Sequence, residues 1–184
     1  MVRLLCLLLF LPGLALAAPW GLDPETTIVV DVPWEGATVA VHFPPPTGSI
    51  DFDPENPVTA RATVTVSARG ATTGVPIVDA LVRSPDYLGT DAWPELTFRL
   101  DRLTPTSKAT AEVAGRITMR GVTRPIAFDA RVIRFGPAAD DPDRFEAGFD
   151  LEATIDRTAF GSTGGVPDDA AVLPIRIRLL MQSK

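Results

Sequence analysis

Few residues in this sequence have the types and spacing that catalysis requires. His42 is the only histidine, so it would have to serve as the base of any serine-based triad. It alternates with Val41 and Phe43, which predicts a side chain on the outer face of a strand. The nucleophile motif Gly-x-Ser-x-Gly does not occur. We therefore expect no catalytic residues and no enzyme; the alternative is a hydrolase or isomerase that uses carboxylates such as Asp79.

Two groups of carboxylates are close enough in the chain to suggest a metal site, because calcium prefers oxygen ligands. One group contains Asp51, Asp53 and Glu55, and the other contains Asp140, Asp141 and Asp143. Neither group has the spacing of a known calcium loop, and proline interrupts both. We interpret both as solvated turns and expect no metal and no cofactor.

Two further segments have a spacing with chemical meaning. Asp79 and Arg83 are four positions apart, so they can pair on one face of a helix. Residues 161–165 read Gly-Ser-Thr-Gly-Gly, but no strand-to-helix phosphate loop surrounds them. We interpret the glycine-rich segment as a flexible loop, and the Asp79–Arg83 pair as a contact that holds a helix in place.

The first 17 residues have the features of a secretory signal peptide. Arg3 precedes an apolar run at residues 4–11, and Ala15-Leu16-Ala17 provides a small-x-small cleavage site. We predict a signal peptide at 1–17, one domain at 18–184 and a periplasmic or secreted location. No later segment is long enough to span a bilayer, so we expect no stable membrane insertion after cleavage. Cys6, the only cysteine, would leave with the signal.

The charge distribution argues against nucleic acid as a partner. The chain has a formal charge of −6, with 17 basic and 23 acidic residues. The basic residues are scattered along the sequence, whereas binding to a phosphate backbone calls for a basic patch. We therefore expect no nucleic-acid ligand. The sequence leaves a homodimer open as an alternative to a monomer.

Alternation of apolar and polar residues with period two is the dominant structural signal. In residues 58–69, Val and Ala occupy one set of alternate positions, and Thr, Ser and Arg occupy the other. Only a strand places two such sets on opposite faces. The pattern recurs at 96–101, 109–120, 126–132, 144–156 and 173–179, and residues 26–32 and 37–43 are interpreted as earlier strands. Short turns rich in Pro and Gly separate the runs, which predicts about eight antiparallel strands.

One segment departs from this period. Pro76 suits the first position of a helix, and Ile77, Val78, Leu81 and Val82 follow it at helical spacing. Ser84 is interpreted as the N-cap of a second turn. The sequence therefore predicts a short helical segment near residues 76–88 in an otherwise all-β protein.

Eight strands with one apolar face each can form a closed barrel or a two-sheet sandwich. Long strands favour the barrel, and an eight-stranded barrel is just wide enough for one small ligand. The predicted inner face is rich in alanine: Ala60, Ala62, Ala68, Ala109, Ala111, Ala130, Ala147 and Ala153. Small inward residues leave volume, and proteins leave little volume empty. This pattern alone leaves a ligand cavity and a filled core equally open.

Four motifs in sequence order resemble those of one protein family. They are the aromatic, glycine and acidic-proline turn at 43–54, the central signature at 73–98, the hairpin at 115–126 and the closing Asp156-Arg157 with Phe160-Gly161. Over roughly residues 28–180, the order and spacing resemble the YceI-like family of exported bacterial proteins. The resemblance implies a lipocalin-like antiparallel barrel with a short helical segment, usually periplasmic. Members of the family hold a polyisoprenoid, quinone-like or fatty-acyl compound in the barrel lumen.

The sequence also departs from the family pattern. Leu81 and Arg120 stand where family members often have histidine, and Val78 replaces an arginine that is common beside Asp79. The stretch at 34–36 lacks the usual His-Ser. These departures favour a ligand simpler than a quinone, or one held by its tail alone.

The candidate ligand-binding residues are the large inward side chains and the apolar residues of the helical segment. They are Val64, Val66, Ile77, Leu81, Tyr87, Phe98, Leu100, Val113, Ile117, Phe128, Phe149 and Leu151. Burial of about 400 Å² of an apolar chain would contribute roughly 10 kcal/mol before the cost of association is subtracted. We therefore expect a carrier for a long apolar lipid. A non-enzymatic adhesion or assembly module with a filled β core stays the alternative.

Overall fold

The computed structural model describes residues 19–34, 36–165 and 171–183. The predicted signal peptide at 1–17 lies outside the described residues. Within them, the chain forms ten β-strands and one α-helix, in agreement with the all-β prediction. No helix in these ranges is both long enough and apolar enough to cross a membrane.

The strands and the helix follow the predicted periodicities. The strands are β1 (Pro19–Leu22), β2 (Thr27–Trp34), β3 (Ala37–Phe43), β4 (Thr47–Asp51), β5 (Arg61–Ser67), β6 (Glu95–Pro105), β7 (Thr110–Met119), β8 (Val122–Pro137), β9 (Phe145–Asp156) and β10 (Val172–Ser183). The helix α1 spans Pro76–Arg83 between β5 and β6. Short 3₁₀ helices lie at Pro57–Thr59, Ala68–Gly70 and Arg157–Phe160.

The strands close into a barrel in which all neighbours are antiparallel. From β4 to β10, each strand pairs with the next, and β1 pairs with both β4 and β10. This gives a ring of eight strands, so the predicted eight-stranded antiparallel barrel is confirmed. The hairpin β2–β3 extends the same sheet, because β2 continues along β10 where β1 ends.

A buried threonine accounts for the break between β1 and β2. The Thr26 hydroxyl donates to the carbonyl of Leu180 (3.2 Å) and accepts from the Leu180 amide (3.0 Å). The Asp23 amide also donates to the Leu180 carbonyl, at 2.9 Å. These bonds replace the ladder that the chain leaves at residues 23–26, so β1 and β2 act as one interrupted strand of the barrel.

Two local predictions are wrong. Val58 was expected on the inner face of a strand, but Pro57 begins a 3₁₀ helix there and Val58 is 61 % exposed. Proline has no amide hydrogen to donate to a neighbouring strand, and β5 therefore begins only at Arg61. Ser84 was expected to cap a second helical turn, but it ends α1, and its carbonyl accepts from the amides of Tyr87 and Gly89.

Two buried clusters of apolar side chains hold the strands of the barrel together. The first packs between β7 and β10 and includes Met119, Phe128, Ile155, Phe160 and Ile175. The second contains Trp20, Ile50, Ala147 and Met181, where β1 and β4 meet β9 and β10. Members of both clusters also border the interior space that forms the candidate site.

Candidate ligand-binding cavity

The barrel encloses a cavity of about 530 Å³. This volume lies in the range of roughly 300–1,000 Å³ that is typical of small-molecule sites. Strands β2 to β10 and α1 all contribute to its wall, and nearly all of the lining side chains are apolar. The cavity therefore suits the hydrocarbon part of a ligand and offers few polar contacts along its length.

The strand register explains why the wall is apolar. Inward residues of adjacent strands lie opposite one another, as in the neighbouring pairs Val64–Phe98 and Phe98–Ile117. Farther round the barrel, Ala130 lies opposite Leu151. Because side chains alternate between faces, one apolar set per strand suffices to build a continuous lining. Val64 is only half-buried although it points inward, since it faces open volume.

Small side chains keep the lumen open. Ala111 and Ala130 are directly opposite each other on β7 and β8, and both line the cavity. Ala60, Ala62 and Ala109 also line it. A methyl group at these positions leaves space that a leucine would occupy. The sequence had left a ligand cavity and a filled core as equal alternatives, and the structure has the cavity.

Eleven of the twelve candidate residues line the cavity. They are Val64, Val66, Leu81, Tyr87, Phe98, Leu100, Val113, Ile117, Phe128, Phe149 and Leu151. Ile77 does not line it, and its side chain is 81 % exposed. The helix instead presents Val78, Leu81 and Val82 to the lumen. A ligand-binding role for these residues stays a prediction.

The candidate set omitted much of the wall. Side chains of β2, β3 and β10 also line the cavity: Ile28, Val30, Val32, Val39, Val41, Phe43, Leu173, Ile175, Ile177, Leu179 and Met181. The alternation that identified these strands already marked most of these positions as inward. Their contribution to the site could therefore have been predicted from the same signal.

One end of the barrel, here called the helix end, is covered by α1 and residues 84–93. Asp79 anchors the helix: it accepts hydrogen bonds from the Thr73 amide (2.6 Å), the Thr73 hydroxyl (2.7 Å) and the Thr72 hydroxyl (2.7 Å). The amide of Thr73 contributes most to holding the pKa of this carboxyl below its usual value. Thr72 is bridged to His42 on β3, so Asp79 ties α1 to the barrel wall.

Arg83 strengthens this anchor, as the spacing of the two residues predicted. Its guanidinium lies 3.9 Å from the Asp79 carboxylate. Its Nε donates to the Asp79 carbonyl at 3.0 Å, and Nη1 donates to the Arg69 carbonyl at 3.3 Å. The arrangement gives Asp79 a positioning role, because its oxygens bind this chain's own donors.

Arg120 fastens the segment that follows α1. Its guanidinium donates to the carbonyls of Pro85 and Tyr87, the latter at 2.9 Å. It also lies over the ring of Trp93, 4.7 Å from the centroid. Arg120 has a φ of 53°, a left-handed conformation that non-glycine residues seldom adopt. The position where family members often have histidine therefore holds a clamp on residues 85–93.

Buried polar groups also line the cavity at the helix end. The Arg157 guanidinium donates to the Ser162 hydroxyl (3.4 Å) and the Gly164 carbonyl (2.9 Å), and it lies 5.3 Å from the ring centroid of Tyr87. Burial lowers the pKa of this guanidinium. The two hydrogen bonds hold the loop after β9 together, and the contact with Tyr87 connects this loop to the segment after α1.

The opposite end, here called the turn end, contains the turn between β6 and β7. Ser107, Lys108 and Thr110 line the cavity there. The Ser107 hydroxyl accepts from the amides of Ala109 and Thr110, both at 3.1 Å, and lies 2.7 Å from the Thr110 hydroxyl. These bonds fix the turn and place a polar edge beside an otherwise apolar lumen.

Other candidate groups lie away from the cavity. His42 is exposed, as predicted. Asp140 is paired with Arg144 at 2.6 Å, and this contact keeps the pKa of Asp140 low. In the part of the chain that the structure describes, no three His, Cys, Asp or Glu residues are grouped as they would be around a metal ion.

Curated relatives share this sequence pattern. The chain is 32 % identical over 115 residues to a UPF0312 protein of Pseudomonas aeruginosa, covering 62 % of this chain and 58 % of the relative. It is 31 % identical over 109 residues to Protein YceI of Shigella flexneri, covering 59 % and 55 % of the two chains. The matches thus span less than two thirds of the relatives' own length.

Solved structures share the fold. Burkholderia cenocepacia BcnA superposes with a TM-score of 0.75 at 18 % identity, covering 89 % of this chain and all of that one. The Campylobacter jejuni YceI protein gives a TM-score of 0.73 at 20 % identity, covering 83 % and 89 %. A polyisoprenoid binding domain from Saccharophagus degradans gives 0.64 at 13 % identity, covering 92 % and 99 %.

The family model for the YceI-like domain matches residues 20–180. This range contains all four motifs noted in the sequence and every strand of the barrel from Trp20 of β1 to Leu180 of β10. The resemblance inferred from those motifs is thereby confirmed. The chain belongs to the YceI-like family.

Proposed function

We propose that this protein is a carrier that holds a long apolar lipid, such as a polyisoprenoid, quinone-like or fatty-acyl compound, inside the barrel. One observation carries the proposal: a cavity of about 530 Å³ with a nearly all-apolar wall lies within a closed barrel. Empty apolar volume of this size is uncommon in packed proteins unless a ligand fills it. The similar fold of a polyisoprenoid binding domain supports the same ligand class.

The apolar wall can supply enough binding free energy without polar contacts. Burial of about 400 Å² of ligand surface contributes roughly 10 kcal/mol, from which association subtracts several kcal/mol. The remainder corresponds to dissociation constants in the micromolar range or lower. Binding then depends on shape and apolar area, so related lipids of similar length compete for the cavity.

The polar groups near the cavity favour binding over catalysis. The Asp79 carboxylate accepts three hydrogen bonds from Thr72 and Thr73 and faces Arg83. A carboxylate bonded in this way is a weak general base, because its low pKa reduces its affinity for a proton. The predicted signal peptide supports a periplasmic or extracellular location for the carrier.

Native mass spectrometry of the protein exported by a lipid-containing host tests this proposal. We expect a discrete excess mass that extracts into organic solvent as a long apolar compound. The variant Ala130→Phe, whose new ring would occupy the lumen, is expected to lose that mass. Ala127→Phe is the matched control, because residue 127 is exposed on the same strand. Bare wild-type protein that also takes up no added isoprenoid or fatty acid would refute the carrier function.

A further inference from the structure

The two cationic side chains that line the cavity lie at its opposite ends. Among the basic residues that the structure describes, only Lys108 and Arg157 line it. Lys108 belongs to the turn between β6 and β7, and Arg157 follows β9 at the helix end. The wall between them is nearly all apolar. A ligand with one charged end and one hydrocarbon chain therefore has two possible orientations.

Arg157 already has a structural task at the helix end. It is 5 % exposed and binds Ser162 and Gly164 while stacking on Tyr87. The amide of Gly164 in turn donates to the carbonyl of Asp86, at 2.8 Å. A head group that took over the Arg157 guanidinium would have to break these contacts and lose its own hydration in a buried place.

Lys108 has different surroundings at the turn end. It is exposed, yet it lines the lumen beside the hydroxyl groups of Ser107 and Thr110. Nearby arginines on the outer face are occupied: Arg102 lies 3.5 Å from Glu112, and Arg134 lies 2.7 Å from Glu146. None of the ion pairs among the described residues includes Lys108.

We infer that the ligand carries an anionic head group, a carboxylate or a phosphate, which lies against Lys108 while its apolar chain extends toward α1. The inference rests on the proposed function, because it specifies the ligand class of the same cavity. At the turn end the head group keeps part of its hydration and gains a charge-assisted hydrogen bond from the ammonium. The hydroxyls of Ser107 and Thr110 are bonded to each other, so the pair has at most one O–H left to donate at the same edge.

Ligands that differ only in the head group test this inference. The probes are hexadecanoate with 1-hexadecanol and farnesyl phosphate with farnesol, measured by calorimetry on delipidated protein. Lys108→Gln is expected to lower the affinity for at least one anionic probe about fivefold, which is the upper range for a partly exposed charge pair. The affinity for the two alcohols is expected to stay unchanged. Lys108→Arg should retain affinity, and the difference should shrink at high salt. Comparison of the two anions shows whether carboxylate or phosphate is preferred.

Arg102→Gln is the matched control, since it removes a positive charge from the same hairpin without touching the cavity wall. Equal losses for anion and alcohol in Lys108→Gln, or no loss for either anion, would overturn the head-group inference and leave the carrier function standing. Failure of wild-type protein to bind any of the four probes would count against the carrier function and the head-group inference alike. Weakening of the anions by Arg102→Gln to the same extent would show a general charge effect and also overturn the inference.

Discussion

Replacement of Ala111 by leucine is expected to stabilise the ligand-free protein and to weaken ligand binding. Ala111 lies opposite Ala130, and both methyl groups face the lumen. The larger side chain adds about three methylene equivalents, which at about 0.8 kcal/mol each contribute roughly 2 kcal/mol when they are buried. In a filled core the same change would cost about 1–3 kcal/mol through overpacking. The sign of the stability change therefore separates an open lumen from a packed one.

The same substitution removes space from the ligand. If the new side chain displaces about 60 Å² of ligand contact, the affinity falls by about 1.5 kcal/mol, or roughly tenfold. Urea unfolding of delipidated protein gives the stability change from the midpoint, provided that the slope is unchanged. Calorimetry with the lipid found by extraction gives the change in affinity.

Ala127→Leu is the control for both measurements, because residue 127 is exposed on the outer face of β8. Its stability change is expected to stay within about 0.5 kcal/mol, with no change in affinity. A loss of stability of 1 kcal/mol or more in Ala111→Leu would contradict the open lumen. If Ala111→Leu increased stability but left the affinity for the ligand unchanged, the ligand would have to bind away from the part of the lumen beside residue 111.

Three further outcomes follow from the anchors and close contacts of the barrel. Asp79→Asn is expected to shorten ligand residence, measured by exchange against labelled lipid, because it weakens the hold of Thr73 on α1. Hydrogen bonding keeps the pKa of Asp79 below its ordinary 3.8. The residence time of the ligand in wild-type protein should therefore be constant above about pH 5 and fall only in stronger acid, where the carboxylate is protonated. Asp79→Asn has no carboxylate, so its residence time should not show this fall. Arg120→Ala is expected to speed hydrogen exchange in residues 85–93, whereas unchanged protection would refute the clamp. Gly115→Ala should lower the free energy of unfolding by about 1–3 kcal/mol, since its methyl group would overlap the Arg99 carbonyl and the Phe98 ring; Gly136→Ala, with no atom near the new methyl group, should not.

The barrel could be predicted from sequence because each strand has a single apolar face. Alternation fixes which side chains share a face, and antiparallel neighbours then need only short turns. The same reasoning misplaced Val58, because a pattern of apolar residues does not show where Pro57 interrupts the ladder. It could not reveal how β1 and β2 are connected at Thr26, because that connection depends on a hydrogen bond from the Thr26 hydroxyl to Leu180, more than 150 residues later in the chain.

The helix shows why part of the site could not be predicted. Ile77, Val78, Leu81 and Val82 form one broad apolar face of this eight-residue helix, and the sequence does not show which edge of that face lies outside the lumen. The position of Asp79 decides the matter, because its bonds to Thr72 and Thr73 fix the rotation of α1 and leave Ile77 outside. Tertiary hydrogen bonds, which a periodicity does not contain, therefore determine which residues face the ligand.

An open lumen and a stable barrel are compatible here because the wall around the lumen is stabilised in two ways. The closed ring pairs the strands around the barrel, and the two buried clusters pack neighbouring strands together along that wall. Larger side chains at Ala111 and Ala130 would add buried area at no cost to strand pairing, so the alanines are not what stability alone would favour. Binding requires the opposite choice, since the volume that these alanines leave is what an apolar chain would fill. The alanine-rich inner face is therefore better explained by a ligand than by folding.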